Sequence, residues 1–303
     1  MRIAIVGLGR MGANMARRLA RQDIKVIGYN RTPSVARELA LKESNITAAD
    51  SVAKALGHLS PPRVVWLMLP AGAPTEDHIR QVAEWLEPGD LIVDGANSNF
   101  HDTRRRGNWL HERSLGFIDA GTSGGIWGLD NGYCMMVGGE KRYVEIIEPA
   151  LKALAPAPDR GWAHVGPSGA GHYTKMIHNG IEYGMMQALA EGLTLLRSRD
   201  DIGIDLAQVT EVWRHGSVVQ SWLLDLTADA LAQDQSLEEI EPVVSDSGEG
   251  RWTAIEAIEQ GVPAPVMTLA LQMRFASQDH EGFPAKLLSV MRNAFGGHTI
   301  TRR

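Results

Sequence analysis

Residues 175–184 read KMIHNGIEYG. A helix turns by about 100° per residue, so positions i, i+3, i+4 and i+7 share one face. Here those positions are Lys175, His178, Asn179 and Glu182. A face that would ordinarily pack on a core therefore carries a potential proton acceptor, Lys175, and a potential proton donor, Glu182. The spacing equally suits a solvated face with a spaced ion pair, and the segment alone leaves both readings open. A lysine must be neutral to accept a proton, and burial lowers its pKa.

The stretch Gly7, Leu8, Gly9, Arg10, Met11, Gly12 matches G-x-G-x-x-G. It follows the apolar run RIAIV and opens the helical pattern ANMARRLA, the context a dinucleotide-binding turn requires. Gly7 permits the tight turn, Gly9 lets the backbone approach a pyrophosphate, and Gly12 lets helix and strand pack closely. The helix N-terminus adds amides and partial positive charge. An Asp or Glu ending the second strand would bond the ribose 2′-hydroxyl of NAD, but the chain reads YNRTPS. Asn30 has no charge to repel a 2′-phosphate, Arg31 can grip one with its planar fork, and Thr32 adds a hydroxyl. NADP is predicted over NAD, with dual specificity left open.

Two further segments sit at predicted strand ends, DGANSNFHDT and GTSGGIWGLDNGYCMMVGG. Strand carboxyl ends line the ligand crevice of open α/β sheets. Gly124 and Gly125 would open backbone amides to a small substrate, and Asn97 and Ser123 offer neutral hydrogen bonds. GTSGG also fits the nucleophile elbow of serine hydrolases, with Ser123, Asp246 and His298 in an allowed order, although no oxyanion segment of HGGG type accompanies it. GPSGAGHY has P-loop-like glycine spacing, but His172 stands where lysine is required. No convincing metal-ligand cluster is present, and a single cysteine, Cys134, excludes a multi-cysteine zinc site.

These residues need elements to hold them. Apolar runs RIAIVG, KVIGYN, RVVWLML, DLIVDGA, FIDAG and YCMMVGG alternate with amphipathic stretches such as SVARELALKE and TEDHIRQVAEWL. Such alternation predicts a parallel sheet with helices on both faces. Beyond the glycine-rich loop HVGPSGAG the periodicities are helical throughout. The expected fold is an α/β Rossmann-type N-terminal domain (1–164) with an all-helical C-terminal substrate and oligomerisation domain (165–303), the active site lying between them. Met185 and Met186 are expected in the core, Trp213 and Trp222 between helices, and Cys134 buried in a strand. The 303 residues are 44% hydrophobic and 22% charged, with net charge −6. That balance predicts a soluble globular protein and disfavours nucleic acid and anionic membranes as partners. The absence of an 18-residue apolar run, and an N-terminus too short and glycine-broken for a signal peptide, predict no membrane span and a cytoplasmic protein.

Taken in order, GLGRMG, YNRT, DGANS, GTSGG, KMIHNGIEYG, GEGRWT and FGGHT resemble the 6-phosphogluconate dehydrogenase family, the decarboxylating enzymes, over nearly the whole chain. The length resembles the short bacterial form. A more distant similarity is to the β-hydroxyacid dehydrogenases, such as 3-hydroxyisobutyrate dehydrogenase. The resemblance implies that Lys175 is general base on the C3 hydroxyl during hydride transfer, that the 3-keto acid loses carbon dioxide, and that Glu182 protonates C1 of the enediol. It implies that Asn179 holds the substrate oxygen and that His178, Tyr183, Asn97, Ser123, Gly124 and Gly125 line the sugar-acid site. Arg292 and His298 match a tail pair reaching a neighbouring subunit's phosphate site, and a homodimer or homotetramer is implied. The phosphate site departs from the pattern: Ser247 and Glu249 replace a lysine and a threonine, and Gln220 takes the place assigned to an arginine. Arg251 compensates, or the substrate is an unphosphorylated sugar acid. A β-hydroxyacid dehydrogenase, a serine hydrolase using Ser123 and a non-catalytic NADP sensor are the alternatives.

Overall fold

The computed structural model describes residues 1–302. The chain divides into two compact units, Met1–His178 and Asn179–Arg303.

The first unit is built on one eight-stranded sheet. Its strands are β1 (Arg2–Val6), β2 (Lys25–Tyr29), β3 (Ile46–Ala49), β4 (Val64–Leu67), β5 (Leu91–Asp94), β6 (Gly116–Ser123), β7 (Cys134–Gly139) and β8 (Trp162–Gly166). They lie in the order β3-β2-β1-β4-β5-β6-β7-β8. Neighbours run parallel except at the antiparallel pair β6–β7. The helices between them are α1 (Arg10–Arg21), α2 (Pro33–Lys42), α3 (Val52–Gly57), α4 (Ala73–Ala83), α5 (Phe100–His111), α6 (Gly128–Asn131) and α7 (Lys141–Leu154), with a 3-10 turn at Gly125–Trp127.

The two-residue alternation of a strand explains the two cores. Ile3 and Ile5 join one cluster with Met15 and Leu19 of α1, Ala36 of α2 and Ile147 and Leu151 of α7. Ala4 and Val6, pointing the other way, join Ala55 of α3, Ile79 and Val82 of α4 and Leu110 of α5. Helices therefore cover both faces, and the carboxyl ends of β1, β4, β5 and β6 are left for the loops that carry the motifs.

Helix α8 (Ala170–Arg197) starts in the first unit and continues into the second. The second unit continues with α9 (Leu206–Trp213), α10 (Trp222–Gln233), α11 (Glu249–Glu259), α12 (Pro265–Ser277) and α13 (Phe283–Gly296). Asp205 and Ser221 start α9 and α10 by accepting from the Gln208 and Leu224 amides, the usual solution for an open first turn. Its cores are small: Tyr183, Ala254, Ala270 and Leu271 form one, and Leu193, Leu206 and Leu231 another, with Trp213 packed against the latter. Many apolar side chains stay exposed, among them Phe283, Leu287, Val290 and Met291 of α13.

Several expectations are corrected. The short strand β3 was hidden in the polar stretch NITAAD, and β8 occupies part of the expected glycine-rich loop. β8 is mostly exposed, so it lacks the apolar alternation that marks a buried strand. Cys134 is exposed rather than buried, because it is the first residue of β7. Met185 and Met186 are each 41% exposed and Trp222 is 47% exposed, so none of the three is core.

Candidate active site

The glycine turn after β1 has the geometry a dinucleotide needs. Gly7 has φ +95°, and a Cβ there would meet the Met68 backbone and the Leu69 side chain. A Cβ on Gly12 would run into the Gly7 carbonyl and the Met68 side chain, so helix α1 and strand β4 approach closely only because neither residue has one. Gly9, by contrast, caps α1 without a capping side chain and faces open space. The first-turn amides are thus left for an anion. The Leu8 amide donates to Asn30 Oδ1 at 3.1 Å, which ties the turn to the end of β2. Arg10, Arg31 and Thr32 are exposed, and Met11 is half-buried. These residues fit a dinucleotide.

The DGANS loop lies beside this turn. Met68, which packs on Gly12, also reaches Gly95, where a Cβ would come within 2.6 Å of its sulfur. Asp94 is fully buried and receives Arg106 Nη1 at 3.1 Å, Ser98 Oγ at 3.0 Å and the Ala96 amide at 3.0 Å. Arg106, only 2% exposed, also donates to Glu76. Asn97, in the left-handed region at φ 49°, accepts from the Thr122 amide at 2.9 Å and donates to the Thr122 carbonyl at 3.2 Å. The end of β5 is thereby fastened to the end of β6, directly before Ser123, Gly124 and Gly125. Gly124 and Gly125 have φ +129° and +51°.

Helix α8 is seated on β6 and β7 by glycines and one carboxylate. A Cβ on Gly171 would come within 2.5 Å of the carbonyls of Asp119 and Met136, and one on Gly121 would come as close to Lys175 Cβ. Asp119, fully buried, accepts the amides of Gly169 at 2.7 Å and His172 at 2.9 Å. A carboxylate at a helix N-terminus satisfies open amides and complements the dipole. The seat brings Lys175 against the end of β6. The lysine is 5% exposed, and its Nζ lies 3.4 Å from His178 Nδ1. His172, one turn earlier, is bonded through Nδ1 to Thr103 Oγ1 at 2.7 Å. Lys175, Asn97, Thr122 and Ser123 therefore gather in the first unit.

Further along α8, in the second unit, Asn179 and Glu182 are half-buried and Tyr183 is 4% exposed. The Ser247 amide donates to Tyr183 Oη at 3.1 Å. A Cβ on Gly250 would strike the Tyr183 ring, and one on Gly180 the Thr253 side chain, so α8 and α11 pack through glycine. Glu249 is buried at the start of α11. Arg251 bonds Asp246 at 2.9 Å, and that hydrogen bond holds the Asp246 carboxyl below its usual range. The Arg274 guanidinium stacks 3.4 Å over the Tyr183 ring and donates to the Ser245 carbonyl. Arg292 and His298 are exposed, on α13 and just after it.

The order of these parts is matched by sequence comparison. Residues 2–166 match the NAD-binding domain of 6-phosphogluconate dehydrogenase, and residues 171–282 match the 6-phosphogluconate dehydrogenase C-terminal domain. The chain belongs to the 6-phosphogluconate dehydrogenase family. It is 36% identical to an NAD(+)-dependent, decarboxylating 6-phosphogluconate dehydrogenase of Haloferax volcanii, over 100% of this chain and 99% of that one. It is similar to the Plasmodium falciparum 6-phosphogluconate dehydrogenase structure, solved with NADP+ and with 6-phosphogluconate, at TM-score 0.85 and 28% identity, covering 100% of this chain and 66% of that one. The fold is shared with Mycobacterium tuberculosis 3-hydroxyisobutyrate dehydrogenase, at TM-score 0.73 and 23% identity over 92% of this chain and 94% of that one. The chain is thus an oxidoreductase of the decarboxylating 6-phosphogluconate dehydrogenase family with an NAD-binding domain.

Within this family frame, some residues escaped sequence reasoning. Gln220, taken as the place of a family arginine, is exposed. The cation beside Tyr183 is Arg274, recognisable only once α12 is seen to pack on α8 and α11. Asp119 and Arg106 gave no signal, since each lies inside an ordinary strand or helix pattern. Ser123 ends β6 in the first unit, and the Asp246 carboxylate of the second unit is engaged by Arg251.

Proposed function

We propose that the protein oxidatively decarboxylates 6-phosphogluconate to ribulose 5-phosphate, with NADP preferred and NAD accepted. The observation that carries this reading is the buried Lys175 held at the end of β6, with Glu182 two turns along the same helix.

Gly7 to Gly12, with Asn30, would hold the dinucleotide's pyrophosphate at the open N-terminus of α1. The bound dinucleotide supplies the hydride acceptor. Lys175, in its neutral form, takes the C3 hydroxyl proton as C3 is oxidised. A 3-keto acid has its own electron sink, so carbon dioxide leaves without another electrophile. Glu182 then delivers a proton to C1 of the enediol. Asn179 and His178 orient the C3 oxygen, while Ser123 and the amides of Gly124 and Gly125 bind the carboxylate and hydroxyls. Asn97 places that loop through its paired bonds to Thr122.

For the sugar's far end, Tyr183 and Arg274 offer a hydroxyl and a guanidinium, with Ser247 beside them. Arg292 and His298 are offered for a phosphate site of a second subunit. NADP is favoured because Arg31 is exposed with no ion pair among the described residues, and Asn30 brings no negative charge.

The test compares 6-phosphogluconate, gluconate and 3-hydroxyisobutyrate with both cofactors while trapping carbon dioxide. Turnover of 6-phosphogluconate with stoichiometric carbon dioxide is expected. Oxidation of 3-hydroxyisobutyrate alone, without carbon dioxide, would reject the assignment.

A further inference from the structure

The segment from Gly125 to Asn131 leaves β6 and returns to β7, which pairs with it from Ser123↔Cys134 onward. Its own sequence does little to stiffen it, for it holds two glycines, Gly125 and Gly128, and two half-exposed apolar side chains, Ile126 and Trp127. Helix α1 supplies what the segment lacks. Arg18 Nη1 donates to the carbonyls of Leu129 at 3.0 Å and Asp130 at 3.3 Å. Its Nε donates to Ala153 O at 3.1 Å and its Nη2 to Ala155 O at 2.7 Å. One guanidinium thus closes the last turns of both α6 and α7, where orphan carbonyls and the negative ends of helix dipoles attract a cation. One turn earlier, Asn14 Nδ2 donates to Ile126 O at 3.2 Å. From beneath, the buried Tyr133 ring fills the space that side chains on Gly124 and Gly128 would need.

We propose that Arg18 is a positioning residue for the substrate loop. It fixes the excursion that carries the Gly124 and Gly125 amides to the same helix whose N-terminus takes the dinucleotide, so one rigid body presents both ligands. The inference rests on the reading of those amides as substrate donors. Lysine cannot replace Arg18, because an ammonium lacks the planar fork that reaches both helix ends at once.

Arg18→Ala and Arg18→Lys test this. Arg18→Ala raises KM for the sugar acid by about tenfold or more, the scale of a small misplacement of a binding group. The dinucleotide Kd, titrated without substrate, stays within about twofold, because the phosphate-binding turn does not use Arg18. Added guanidinium restores KM in Arg18→Ala, and Arg18→Lys stays defective. Amide hydrogen exchange gives a readout that needs no activity: exchange across residues 124–131 quickens in Arg18→Ala while β1 and β2 keep their protection. An unchanged KM with unchanged exchange overturns the proposal, and so does a parallel loss of dinucleotide binding and of protection throughout the sheet. If the wild type oxidises no sugar acid, the substrate reading fails, and local exchange alone decides whether Arg18 fixes the loop.

Discussion

Lys175 and the residues that hold it define the residue scale. Replacing Lys175 by Met keeps the bulk and removes the base. Hydride transfer, followed at 340 nm with each cofactor, is expected to fall by at least about a thousandfold, within the range ascribed to general base catalysis; wild-type turnover in this variant would end the assignment. Arg106 and Asp94 make a different kind of site, a buried ion pair. Arg106→Leu leaves the Asp94 carboxylate buried and unpaired, which costs about 3–5 kcal/mol in denaturant unfolding. The opposite sign is expected at Tyr133. Burial pushes its hydroxyl up to about 12, against the opposing charge of Arg18, and the hydroxyl has no hydrogen-bond partner among the described residues. Tyr133→Phe removes an unsatisfied group, so the melting temperature is unchanged or slightly higher. The burial of these three polar groups was not legible in the sequence: Asp94 ends an apolar run, Tyr133 begins one, and Arg106 is the last of three successive arginines, and none of these patterns says which side chain is buried or paired.

At the scale of elements, helix α8 shows how far the sequence could be read. Its polar face was visible from spacing alone, since i, i+3, i+4 and i+7 are fixed by helical geometry. Its seat was not, because the contacts of Gly121, Gly138 and Gly171 join residues far apart in the chain. Strands β1, β2, β4, β5, β6 and β7 announced themselves as apolar runs buried on both faces. The edge strand β8 did not, because exposure removes the pattern. A further element-level device is Glu76 on α4, which receives Arg105, Arg106 and Arg80. The Arg105 hydrogen bond, aided by the other two and opposed by burial, brings its carboxyl to about 2. The folded value lies below the unfolded one of about 4.5, so this stabilisation is present above pH 4.5 and is lost as pH falls towards 2. Unfolding titrations of Glu76→Gln against wild type should differ near neutrality and converge at the acid end; a constant difference across that window would remove Glu76 as the cause.

At the scale of the whole molecule, the two units are unequally finished. The sheet is covered on both faces, whereas the helical unit has two small cores and leaves Phe283, Leu287, Val290 and Met291 of α13 exposed at helical spacing. The expectation of a homo-oligomer rests on a short helical domain that should leave apolar surface, with the family resemblance pointing the same way, and these exposed side chains are such a surface, better removed from water. Light scattering of the full chain should report a dimer or larger assembly, and Leu287→Glu with Met291→Glu should shift it towards the monomer. A wild-type monomer at micromolar concentration would overturn that expectation.

The frontier between the units falls just after His178, inside α8, so the proposed base and the proposed acid belong to different units yet share one unbroken rod of backbone. Anyone splicing chimeras from this family should cut ahead of Pro167. A junction anywhere between Lys175 and Glu182 would leave the phase between donor and acceptor to chance, since adding or deleting one residue there rotates one against the other by about 100°.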